Sequence, residues 1–153
     1  MSVLTEEQLS DLRNEITNDP ENKGYQALLA EGKPGHVVDV LNAPTEPMRK
    51  ETWITDLGLM SRLGVDMGRS ILEKLKGLAP NDIAVESAFA RLKGNGIDIG
   101  DPETIKMIDQ LTGVPGGFAT EEQTALKSLS MHPASRMEVL GLPYATEEML
   151  RDL

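Results

Sequence analysis

Apolar residues recur along this chain at helical spacing in short blocks, and polar or turn-forming residues close each block. Leu9, Leu12 and Ile16 fall on one face of a helix predicted over residues 5–17. Tyr25, Leu28 and Leu29 mark a second over 20–31, opened by Asp19-Pro20 and stopped by Gly32, since Pro suits a first turn and Asp can cap it. Val37, Val38 and Leu41 follow Pro34 in a third short element. Residues 43–53, with Pro44 and Pro47, read as a linker.

Beyond that linker, Thr55 or Asp56 caps a helix to Leu63 that Gly64 ends. Asp66 opens the next, with Met67, Ile71, Leu72, Leu75 and Leu78 in helical register. Asn81 caps another, carrying Ile83, Val85, Phe89 and Leu92. Residues 95–100 alternate like a short extended crossover, too brief to build a sheet. Asp101-Pro102 starts a helix through Ile105, Ile108 and Leu111, and 113–117 form a flexible or tightly turned loop. Thr120 caps 121–130, with Leu126 and Leu129 inward, and two small elements around 135–140 and 146–153 finish the chain.

One start signal occurs three times: Thr5-Glu-Glu-Gln8, Thr120-Glu-Glu-Gln123 and Thr146-Glu-Glu-Met149. A Thr side chain accepts unpaired backbone N–H groups of a first turn, a Gln three residues on can reach back, and the acids suit the helix dipole. These sites share capping physics without a repeated unit around them. No block is long enough to be stable alone, so packing between helices must hold the fold. The expected architecture is all-α: many short helices packed at mixed angles, with an N-terminal helical arm (residues 1–44) and a main helical domain (45–153).

Composition supports this. The chain has 153 residues and only 3% aromatics, so its core is built from Leu, Ile, Val and Met. A net charge of −10 disfavours sequence-independent nucleic-acid binding, which draws on Lys and Arg. The acids are spread evenly, as solubility requires, and not massed as in a DNA mimic. With no cysteine, disulfides, thiolate metal sites and thiol catalysis are all removed. No secretory signal and no membrane-length apolar run is visible, so a soluble protein made in the cytoplasm is expected.

Candidate chemistry is sparse. His36 and His132 stand far apart, and only Asp39 lies at helical ligand spacing from either, so no metal is expected. Asn95, Asp98, Asp101 and Glu103 lack the calcium-loop pattern; a turn and a helix cap explain them better. No nucleophile elbow or phosphate loop is present. Neither catalytic residues, cofactors nor enzymatic activity are expected. Met60, Met67, Met107, Met131 and Met137 fit core filling better than an adaptable contact surface. Trp53, beside Arg49 and Lys50, either pins the arm to the main domain or anchors a partner subunit.

Two segments carry a resemblance. Leu12-Arg-Asn-Glu-Ile-Thr-Asn-Asp-Pro20, continuing to Gly24-Tyr25 and Leu41-Asn-Ala-Pro44, is similar to the opening of a group of small helical proteins of unknown function encoded among tailed-bacteriophage structural genes. Ser135-Arg-Met-Glu-Val-Leu-Gly141, followed by Thr146-Glu-Glu, resembles the way those proteins end. The matching residues cover both ends, the middle agrees only in being helical, and residues 31–41 depart from the group's shorter loop.

The resemblance implies a phage gene usually found among the virion and tail genes; it does not imply a catalytic activity. The expected function is a structural or assembly component of the virion, in the tail or head–tail region, with Trp53, Arg49, Tyr25 and Arg136 as candidate interface residues. Its partners would be other virion proteins and further copies of itself, with no nucleic acid or membrane; its location would be the host cytoplasm during assembly and then the virion. The alternative is a non-virion phage protein that binds and modulates a host enzyme.

Overall fold

The computed structural model describes residues 4–153. The chain is mostly helical, at 61% helix, with a little strand. It divides into two compact units: residues 1–48 with 133–153, and residues 49–132. This division differs from the expected one, because the C-terminal segment groups with the N-terminal arm and not with the middle of the chain. The physical reason is a shared core. Leu12, Ile16, Tyr25 and Leu41 from the first part bury against Met137 and Met149 from the last. Helices this short have no other way to cover their apolar faces.

The first unit contains α1 (Glu6–Asn18), α2 (Tyr25–Ala30), α3 (Pro34–Asn42), α9 (Arg136–Val139) and α10 (Glu147–Arg151). The second contains α4 (Asp56–Leu63), α5 (Val65–Leu78), α6 (Ile83–Lys93), α7 (Pro102–Leu111) and α8 (Thr120–Ser128), around a core that includes Leu59, Ile71, Val85, Leu92, Ile108 and Leu126. The chain passes between units in β1 (Glu46–Arg49) and β4 (Met131–Ala134). The expected linker over 43–53 is therefore partly strand. Within the second unit β2 (Trp53–Ile54) pairs antiparallel with β3 (Ile97–Asp98), Trp53 opposite Asp98 and Ile54 opposite Ile97. Residues 95–100 thus do take extended form, completed by a partner strand from the supposed linker.

Two of the three Thr-Glu-Glu sites cap as expected. Thr5 and Gln8 exchange reciprocal bonds of 3.1 and 3.0 Å, and the Thr146 hydroxyl accepts the Met149 N–H. At the remaining site the frame is shifted by one. Ala119 is the N-cap of α8, and the Glu122 carboxylate accepts its N–H at 2.8 Å. Glu122 also accepts the Ser70 hydroxyl at 2.9 Å and pairs with Lys74, both on α5. These tertiary partners select the frame. Thr5→Ala is expected to cost about 1 kcal/mol in urea unfolding, whereas Thr120→Ala, which removes no cap, should change stability by less than about 0.5 kcal/mol.

Other helix starts moved for similar reasons. Asp82, not Asn81, caps α6 by accepting from Ala84 and Val85. Asp66 lies in the first turn of α5, which begins after Gly64 without a side-chain cap. Asp19 does not open a helix: it ends α1 in the left-handed conformation, which Asp tolerates, and its carboxylate takes the N–H groups of Lys23 and Gly24. Burial alone would raise the Asp19 carboxyl, but those backbone donors, with that of Tyr25, hold it below its ordinary value. The second helix consequently starts at Tyr25, five residues later than expected.

Candidate functional site

The residues carrying the phage resemblance, distant in sequence, meet inside the first unit. Leu12 and Ile16 place α1 on the core, and the same face brings Glu15 inward to 3% exposure. Gly24, in the left-handed region that favours glycine, turns the chain so that Tyr25 enters the core fully buried. The Tyr25 hydroxyl donates to one Glu15 oxygen at 2.9 Å, and Arg136 Nε donates to the other at 2.8 Å. Arg136 Nη1 lies 3.6 Å from Glu46 and 3.9 Å from Glu21. Lys23 Nζ lies 3.9 Å from Glu46.

Burial and the adjacent Glu15 carboxylate push the Tyr25 phenol far above its ordinary range, so it serves as a hydrogen-bond donor. Burial works against the Arg136 charge, but Glu15, Glu46 and Glu21 more than offset it. Ser135 and Glu138 form a reciprocal capping box that fixes α9, and with it Arg136. Asn42 closes the other side, accepting the Ala145 N–H at 2.8 Å and donating to the Ala145 carbonyl at 3.0 Å. Glu15, Tyr25, Asn42, Ser135 and Arg136 thus each have a structural task. Tyr25 and Arg136, expected at an interface, are core anchors of the first unit.

Arg49 is likewise occupied internally. Its guanidinium donates to the Lys127 carbonyl at 2.7 Å and to the Ser130 hydroxyl at 2.6 Å, satisfying the C-terminal end of α8. Trp53 is different. Alternation along β2 sends Ile54 into the core, 5% exposed, and turns Trp53 outward, 60% exposed. The indole N–H donates to Glu51 at 2.6 Å, which fixes the ring without covering it.

Trp53 walls a groove in the second unit. Ala84, Ala88 and Arg91 of α6 and Met107 of α7 line it as well. Glu51, Asp98, Asp101 and Glu103 stand along it. Asp98 is held by accepting the N–H groups of Thr52 and Gly100 at 2.8 and 2.9 Å, and Asp101 by capping α7. The oxygen-rich stretch after Asn95 is therefore a turn and a cap, with acids left beside an aromatic. Sequence periodicity signalled the extended form of residues 95–100 but neither its partner strand nor the groove, because Trp53 and the α6 and α7 faces lie far from one another in the chain.

The remaining candidates are dispersed. His36 is exposed on α3, and His132 Nε2 lies 2.7 Å from the Thr52 hydroxyl. Among the described residues no group of three or more His, Asp or Glu is arranged to hold a metal. No described helix is long and apolar enough to cross a membrane. Met137 and Met149 fill the first core, Met67 and Met107 pack on the second, and Met131 is exposed.

Glu122 has its own pH signature. Burial raises its carboxyl, but the Ala119 N–H, Lys74 and Ser70 outweigh that and hold it below the ordinary 4.5. A depressed folded value means a contribution fully present above about pH 4.5 and lost as pH falls toward the folded value. Glu122→Gln is expected to lower stability at pH 7 and to flatten the acid limb of a urea-midpoint profile. An unchanged acid limb would show that Glu122 is not coupled to folding.

No protein-family model, curated protein or solved structure matches this chain.

Proposed function

We propose that this chain is a structural or assembly component of a tailed-bacteriophage particle, in the tail or head–tail region, working through protein–protein contacts. The observation that carries the reading is the convergence of the resemblance-bearing residues, from both chain ends, on one buried framework. Glu15 is hydrogen-bonded there to Tyr25 and Arg136, and Asn42 to the backbone of Ala145. Residues that build a fold together are what proteins of one architecture share, so the likeness is read as one of fold and genomic setting. The second unit, outside the resemblance, carries the contact surface. An exposed Trp is suited to that role, since Trp combines large apolar area with few rotatable bonds.

In this reading the chain folds in the host cytoplasm and is then built into the virion beside other virion proteins and copies of itself. Mass spectrometry of purified particles is expected to find it at stoichiometric levels. Its absence from particles, with recovery of a host enzyme on affinity capture from infected cells, would sink the reading in favour of a host-directed inhibitor.

A further inference from the structure

We propose that the Trp53 groove receives a segment of a partner protein in which Lys or Arg residues alternate with apolar ones. The inference rests on the contact-based reading above only for who supplies the segment; its chemistry comes from the groove itself. Trp53 is 60% exposed, and beside it Ala84 and Met107 offer apolar area on α6 and α7. The charge is one-sided: Glu51, Asp98, Asp101 and Glu103 against Arg91. None of these four carboxylates forms an ion pair among the described residues.

Three of the acids are already oriented, by the Trp53 indole, by backbone N–H groups and by a helix cap, so little side-chain freedom is lost when a cation arrives. An acidic segment would meet like charge, and a purely apolar one would strip water from four carboxylates without replacing it. Apolar side chains against the indole with cations toward the acids satisfy both features, and the indole face itself attracts cations.

The chain has one Trp, so its emission reports on this site alone. The full-length protein would be titrated with a fluorescein-labelled peptide of alternating Lys and Leu, following anisotropy and Trp53 emission together. Peptides of alternating Glu and Leu, and of alternating Lys and Ser, serve as controls. Binding of the Lys–Leu peptide with a blue shift, weakened by salt and stronger than either control, is expected. Glu51→Lys with Glu103→Lys should weaken it about tenfold, the size expected for reversing two rim charges. Glu6→Lys with Glu7→Lys, on exposed positions of the first unit, should leave it unchanged.

No binding, equal binding of the Glu–Leu peptide, or equal weakening by the two double substitutions would overturn the proposal. The last outcome would mean that the net charge of the chain, not the groove, attracts the peptide. Peptide binding without incorporation into particles would instead sink the virion reading and leave the groove assignment standing.

Discussion

Glu15→Ala is expected to destabilise the first unit by about 3–5 kcal/mol, the range for removing one member of a buried ion pair. Arg136 would then be left 13% exposed, its closest carboxylate gone and Glu46 at 3.6 Å the nearest remaining. The Tyr25 hydroxyl, fully buried, would lose its acceptor as well. Tyr25→Phe removes only the neutral partner and should cost about 1–2 kcal/mol. Glu15→Met combined with Arg136→Met and Tyr25→Phe should cost less than the three single losses added, because no polar group of the triad is then stranded. Hydrogen exchange read by mass spectrometry is the suitable measurement. Amides of α1, α2 and α9 should lose protection while those of α5 to α7 keep theirs. Simple additivity of the three substitutions would show that the triad is not energetically coupled.

That triad also marks where sequence reasoning reached its range. Local signals were legible: Thr5, Asp101 and Thr146 each cap the helix expected of them, and Thr55 is the cap where either Thr55 or Asp56 is expected, because caps act within four residues. Leu12 with Ile16, and Ile108 with Leu111, are buried at the spacing that predicted them. The failures share one cause, which is selection by distant partners. Ala119 takes the N-cap position expected of Thr120, and Glu122 the reach-back expected of Gln123, because Ser70 and Lys74 hold the Glu122 carboxylate. Proximity in sequence groups residues 133–153 with the middle of the chain, whereas their apolar residues complete the core of α1 to α3. Ile83, one of the apolar residues that mark α6 in the sequence, is 82% exposed, since the face that packs is set by Val85, Ala88 and Leu92. Of the four candidate interface residues Tyr25 is buried, Arg49 and Arg136 are partly exposed with their guanidinium groups bonded internally, and Trp53 is largely exposed; its outward turn follows from its β2 pairing, not from the linker expected there.

Gly117→Ala is expected to be among the most damaging single-methyl changes in the second unit, costing about 3 kcal/mol or more. The loop after α7 is tightly turned: Phe118 N–H donates to the Leu111 carbonyl at 2.9 Å, and Gly113 N–H to the Phe118 carbonyl at 3.0 Å. Thr112 bridges to Phe118, and Phe118 is 3% exposed in the core. A Cβ on Gly117 would fall onto the Leu111 carbonyl oxygen and the Val114 side chain. The Leu111 carbonyl is backbone and is held by Phe118, so it has nowhere to move. The requirement is space, since Gly117 is not among the glycines of positive φ. Gly141 poses the opposite case, with φ of 72° and nothing within 4 Å of an added Cβ. Gly141→Ala should therefore cost only about 1 kcal/mol, the left-handed penalty for an L side chain. Urea unfolding followed by circular dichroism would rank the two substitutions. Equal costs would mean that the loop yields to the methyl, and that Phe118 is not held in the core by the close approach at Gly117.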